Sequence, residues 1–231
     1  MLKKPLEFIL VPLILLYNYG FVSPQPIQPY INKPQHVHSQ ASEGLDARLL
    51  AEADKLAKAN PLAAIPLYKM VIAESDGTNE KLKEEAIEKA GNTFFDYLFK
   101  KSTSKWILES ALNYFDEVTN KHPGSRYVPK AHRGIGIILA FIQEQKDVYG
   151  GVIELKKAYE LSRKIGDVET ELYSAWNLAM IGIDKLNNVE KTVPFQDTIF
   201  YLTQVSLLAK GTTLGNSAEQ LLKKIGFENS K

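Results

Sequence analysis

The sequence predicts an all-α protein. From Gly44 onward apolar residues recur at spacings of three and four, and short breaks carrying Pro, Gly or Asn separate the runs. No stretch alternates apolar with polar residues as a half-buried strand does. At 231 residues, 45% of them hydrophobic, the chain is long enough to bury a core of its own, and one helical domain behind a tail is expected.

The first element is "MLKK" followed by "PLEFILVPLILLYNYGFV", an apolar run interrupted by Glu7, Pro12 and Asn18. It reads as an export signal or membrane anchor over residues 1–22. Lys3 and Lys4 precede the run and the next basic residue is Lys33, so the positive-inside rule puts the N-terminus in the cytoplasm and the remainder outside. At ~1.5 Å per residue the run over residues 6–22 spans roughly 26 Å, just short of a bilayer core. Cleavage would need small residues in an A-x-A-like pattern, and "NYGFVS" puts large ones there. A retained signal anchor is expected, with the helical domain extracytoplasmic (periplasmic in a bacterium); a cleaved signal would make the domain secreted.

Residues 23–43 hold four prolines and four glutamines without apolar periodicity. Such a linker, extended at ~3.1 Å per residue, reaches roughly 65 Å and would hold a domain clear of a membrane. His36 and His38 within it lack further ligands nearby, and no metal site is expected. Helices follow at 45–59, 61–75, 79–100, 104–121, 127–145, 149–165, 168–187, 194–210 and 214–226, joined by short breaks that suggest antiparallel pairs in a domain covering 44–228.

Composition narrows the function. Lys plus Arg number 28 against 27 for Asp plus Glu, so the overall field is weak and nucleic acid is not an expected partner. The absence of cysteine removes disulfides, thiolate metal sites, a catalytic thiol and the lipidated cysteine of bacterial lipoproteins. Motifs for catalysis are incomplete. Ser102 and Lys105 have the S-x-x-K spacing of penicillin-recognising acyl enzymes, but S-D-N is missing and "KGT" at 210–212 has the wrong order. Gly134 and Gly136 are too few for a dinucleotide fingerprint and follow no strand, and no Gly-Lys-Ser/Thr loop cradles phosphate. His122 and His132 come without a positioned serine or an HExxH motif, and Glu84, Glu85 and Glu88 share helix faces with lysines as solvated pairs do. No catalytic residue, cofactor or metal is expected.

Small and bulky residues repeat across the helices: Ala64, Tyr68 and Val71; Ala111, Phe115, Val118 and Pro123; Gly151, Leu155 and Ala158. The preceding helices carry Leu49, Ala53 and Leu56; Ile87, Ala90, Gly91 and Phe94; Ile135, Gly136 and Leu139; Asn177, Leu178 and Ala179. Small residues at a fixed place let helices approach closely, and a bulky neighbour fills the gap. This pattern resembles the tetratricopeptide repeat family over roughly residues 45–187. The stretch "ALNYFDEVTNKHPGSRYVPKAHRGIG" is similar to repeat junctions in periplasmic tetratricopeptide proteins of the envelope. Within it Pro123 stops one helix, Gly124 and Ser125 turn the chain, and Pro129 suits the first turn of the next. From Lys121 to Arg133 the cations Lys121, Arg126, Lys130 and Arg133 stand without an acid among them. The connection between Phe94 and Ala111 is longer than the family's, and His132 stands where an aromatic is usual.

The resemblance implies a solenoid of antiparallel helix pairs whose first helices line a concave groove. Counting from the small positions puts Asn92 and Phe95, then Lys130, Arg133, Ile137 and Phe141, then Tyr173, Trp176, Asn177 and Met180 along it. Aromatics beside cations and amides suit an extended or helical peptide, with Lys130 and Arg133 orienting an acidic segment. The carboxylate clamp of some family members is not carried over, because Asn92 alone matches while Glu88 and Gly134 stand in place of its lysine and arginine. The expectation is a non-enzymatic, membrane-tethered scaffold or adapter that binds protein partners, subunits of a membrane or envelope complex, with residues 6–22 in the membrane. The alternative is a secreted hydrolase or small-ligand receptor on a helical scaffold. After Val193, "PFQDTIFYLTQVSLLAK" either caps the stack or binds a partner, and solenoid ends need closing.

Overall fold

The structure, a computed structural model, describes residues 44–99, 104–142, 147–185 and 193–226. The expected anchor over 1–22, the linker over 23–43 with its His-x-His pair, and Ser102 lie outside the described residues. Among the described residues no helix is long and apolar enough to cross a membrane.

Within those residues the fold is all helical: α1 Leu45–Ala59, α2 Pro61–Glu74, α3 Glu80–Leu98, α4 Lys105–Lys121, α5 Val128–Ile137, α6 Val148–Ile165, α7 Val168–Lys185, α8 Phe195–Leu208 and α9 Thr213–Lys224. Side-chain caps set many of the starts. Asn60 accepts from the Ala63 amide at 3.3 Å, Asn79 from Leu82 at 3.2 Å, Asp147 from Gly150 at 2.8 Å, Asp167 from Thr170 at 3.1 Å and Thr212 from Gly215 at 3.2 Å. Each satisfies an amide that the helix itself leaves without a partner. At the other end of α6, Gly166 takes φ +75°, a left-handed conformation that a Cβ would disfavour, and thereby turns the chain into α7.

One expectation is corrected in detail. The helix expected to run unbroken to 145 leaves α geometry at Ile138–Ile142, a single π turn. It sits beside a close crossing of α5 and α6. A Cβ on Gly136 would stand 2.7 Å from Leu155 Cγ and 2.9 Å from the Gly151 carbonyl, and one on Gly151 would stand 2.7 Å from Ala140 Cβ. The α5–α6 approach thus depends on two missing side chains.

Each helix packs on the next in sequence, and α1 also meets α3 while α5 meets α7. Side-chain pairs between α3 and α5 and between α6 and α8 show the sense of two further second-neighbour contacts. Asn92 meets Lys130 while Phe95 meets Arg133; Lys156 meets Asp197 while Tyr159 meets Tyr201. Later residues meet later residues, so α3 runs parallel to α5 and α6 to α8, as antiparallel pairs placed side by side require.

The core gathers between these helices. Phe115, fully buried, lies against Phe94 and Phe95 with ring centroids 6.4 and 6.1 Å away, both edge-on. Tyr114 packs at 5.3 Å from Phe94 and donates its buried hydroxyl to the Ile87 carbonyl at 2.9 Å. Room for Phe115 comes from Gly134, where a Cβ would stand 2.5 Å from its ring. Nearer the start of the domain, Asp54 on α1 accepts from Tyr68 on α2 at 3.0 Å and from Lys89 on α3 at 2.6 Å. Burial and that carboxylate push the Tyr68 hydroxyl up to about 12. At the far end α9 buries Gly215, Ala218 and Leu222 on α8 and exposes Asn216, Glu219, Gln220, Lys223 and Lys224, the polar outer face of an end helix.

Candidate functional site

The junction at His122–Gly136 locates the first part of the site. Lys130 and Arg133 find partners distant in sequence, and so does the turn that precedes them. Glu84 on α3 accepts the Ser125 hydroxyl at 2.9 Å and the Arg126 amide at 2.7 Å, while Ser125 Oγ accepts the Tyr127 amide at 3.0 Å. Glu84 therefore fastens the turn rather than forming only a solvated pair on its own helix, as its spacing suggested. Glu85 does pair with Lys89 at 2.8 Å, and Lys121 pairs with Glu117 at 3.2 Å.

Held by this turn, α5 directs two cations at aromatic rings. Lys130 donates to Asn92 Oδ1 at 2.7 Å and stands 5.5 Å from the Phe95 ring centre and 5.8 Å from that of Tyr127. Arg133 lies between two rings, with its guanidinium carbon 4.8 Å from the centre of Phe95 on α3 and 4.7 Å from that of Tyr173 on α7. The face of an aromatic ring attracts a cation, more so where water is excluded. Arg133 is only 2% exposed.

Of the residues expected from sequence to share a groove, the structure joins Asn92, Phe95, Lys130, Arg133 and Tyr173 across α3, α5 and α7. Exposure divides the expected residues. Phe95, Arg133, Ile137 and Trp176 are buried, whereas Asn92, Lys130, Phe141, Tyr173, Asn177 and Met180 are half-buried. This changes the role expected of Arg133: enclosed by two rings, it cannot orient an acidic peptide from its present place and instead ties three helices together. Among the described residues Asn177 keeps its Nδ2 buried without a hydrogen-bond partner.

A second feature, which sequence reasoning missed, is a cleft of about 310 Å³ between α2 and α4, bordered by Lys69, Asp76, Tyr114, Glu117, Lys121 and His122. Its ionisable groups largely pair with one another. Lys69 reaches Glu117 at 2.7 Å. Burial alone would raise the Glu117 carboxyl, but hydrogen bonds from Lys69 and Lys121 hold it below its usual range. Burial, with Lys83 nearby, lowers His122 below the ordinary histidine value, and its Nδ1 is buried with no partner among the described residues. Among the described residues no serine or threonine borders the cleft, and the Tyr114 hydroxyl that does is engaged by the Ile87 carbonyl. His132, the other histidine of the junction, bonds to Glu154 at 2.6 Å and bridges α5 to α6. Among the described residues no group of three or more His, Asp or Glu side chains is placed to hold a metal ion.

In comparisons with protein-family models, curated proteins and solved structures, no match is found for this chain.

Proposed function

We propose that the chain is a non-enzymatic scaffold or adapter, tethered to a membrane by residues 6–22 and displaying a tetratricopeptide-like solenoid on its outer side. The observation that carries this reading is the row of half-buried Asn92, Lys130, Tyr173, Asn177 and Met180 on α3, α5 and α7, held in register by Arg133 between Phe95 and Tyr173. Side chains at intermediate burial can still lose water to a partner. Their mixture of aromatic, thioether, amide and cation suits a peptide or helix laid across three helices.

Recognition then falls to Lys130, Phe141, Tyr173 and Met180, with Arg133 as the internal strut. Partner proteins would be subunits of a membrane or envelope complex, and neither cofactor nor metal enters the mechanism. The test is purification of the full-length chain in mild detergent, with mass spectrometry of its N-terminus and of copurifying proteins. A stoichiometric partner together with a retained N-terminal segment supports the tethered adapter. A partner-free chain beginning near Ser23 supports the alternative, a secreted ligand-binding or hydrolytic domain.

A further inference from the structure

Exposed aromatics recur at one place in successive helix pairs. Trp106, the second residue of α4, is 66% exposed; Tyr149, the second of α6, is 68% exposed; Phe195, the first of α8, is 45% exposed. Ile153, one turn beyond Tyr149 on the same face of α6, is also exposed. Because consecutive helices alternate in direction, the starts of α4, α6 and α8 lie at one end of the stack. The Lys156–Asp197 and Tyr159–Tyr201 pairs set the start of α8 beside the second turn of α6, so Ile153 continues the apolar edge from Tyr149 towards Phe195. This edge is separate from the Arg133 site.

Large apolar side chains exposed at one end of a helix stack mark a surface that is covered in use. Trp and Tyr, with an apolar body and one polar atom, are the side chains that settle at the boundary between lipid and water. Lys105, 82% exposed beside Trp106 and paired only at 3.9 Å with the exposed Glu109, offers a cation that an anionic headgroup can recruit. The chain carries 44 residues ahead of α1, and these include the apolar run and a Pro- and Gln-rich segment whose reach permits the domain either to stand clear of a bilayer or to fold back onto it. We infer that the edge formed by Trp106, Tyr149, Ile153 and Phe195 rests on the surface of an anionic phospholipid bilayer, a contact that depends on the tethered reading above. The tether supplies proximity, and the edge fixes the orientation of the domain.

The experiment uses the full chain with vesicles of phosphatidylcholine and phosphatidylglycerol. Trp106 and Trp176 are the only tryptophans, so Trp176→Phe isolates the emission of Trp106. The expected result is flotation with the vesicles, a blue shift of Trp106 emission, quenching by lipid brominated near the headgroup, and loss of quenching by aqueous acrylamide. Should Trp176→Phe fail to fold, Trp106→Phe in the otherwise unchanged chain must remove the lipid-quenched fraction of the signal. Flotation with Trp106 still open to acrylamide and unaffected by brominated lipid overturns the edge contact and leaves the tether intact. Absence of flotation overturns both. Shielding of Trp106 in detergent without vesicles, growing with protein concentration, also overturns the proposal, because a second copy of the chain then covers the edge.

Discussion

Gly136 on α5 and Gly151 on α6 exclude each other's side chains. A Cβ on either residue would stand 2.9 Å from the carbonyl oxygen of the other. Because these contacts are to backbone, they are not relieved by a rotamer change. Gly136→Ala and Gly151→Ala are each expected to lower stability by about 1–3 kcal/mol, the usual cost of overfilling a close crossing. Together they should cost less than their sum, since the first already forces the helices apart. Chemical denaturation of the four proteins in the cycle checks this.

The core gives a sharper coupling. Phe115→Ala removes a fully buried ring that touches Phe94 and Phe95 and should cost about 3–5 kcal/mol. Gly134→Ala should also destabilise, because its new methyl group would meet that ring. Against a Phe115→Leu background the Gly134→Ala penalty should shrink. An unchanged penalty would show that Gly134 is selected by something other than the Phe115 ring.

Glu84 closes the turn between α4 and α5 from a position about forty residues earlier in the chain. Glu84→Ala leaves the Ser125 hydroxyl and Arg126 amide to water, and a loss of about 1–2 kcal/mol is expected. Hydrogen exchange provides the local reading: protection should fall first at the Arg126 and Tyr127 amides and the first turn of α5.

Acid stability has an identifiable contributor in Glu154. Burial opposes ionisation, but hydrogen bonds from His132 and Lys157 hold its carboxyl below the ordinary 4.5. The unfolded chain therefore binds this proton more readily than the folded one. The resulting stabilisation is full above the unfolded value and disappears as pH falls through the lower folded value. Glu154→Gln should flatten the dependence of stability on pH in that acidic window, which denaturation at a series of pH values measures.

Local structure was largely legible in the sequence. Periodicity places α4 at 104–121 and the structure has it at Lys105–Lys121; α1 coincides at 45–59. Apolar spacing records which face of a helix is buried, and Asn, Asp, Gly and Pro mark its ends, so these features are written locally. Pairings between helices are not. Nothing near Arg126 announces Glu84, and nothing near Arg133 announces the rings of Phe95 and Tyr173. An arginine among apolar neighbours reads as a solvated cation until two aromatic faces enclose it. The positions expected to share a groove come from counting along the repeated small residues, which imply a register across helices. Their burial escaped that count because it depends on how closely α3, α5 and α7 approach.

The central claim is that a partner protein lies across the half-buried row on α3, α5 and α7. It is tested most directly by placing a photo-crosslinking amino acid at Tyr173 or Met180, and separately at Glu219 on the outer face of α9, in the full-length chain in its native membrane. The account predicts a discrete protein adduct from Tyr173 and Met180 and none from Glu219. Adducts from Glu219 alone, with the two groove variants folded and silent, would contradict it.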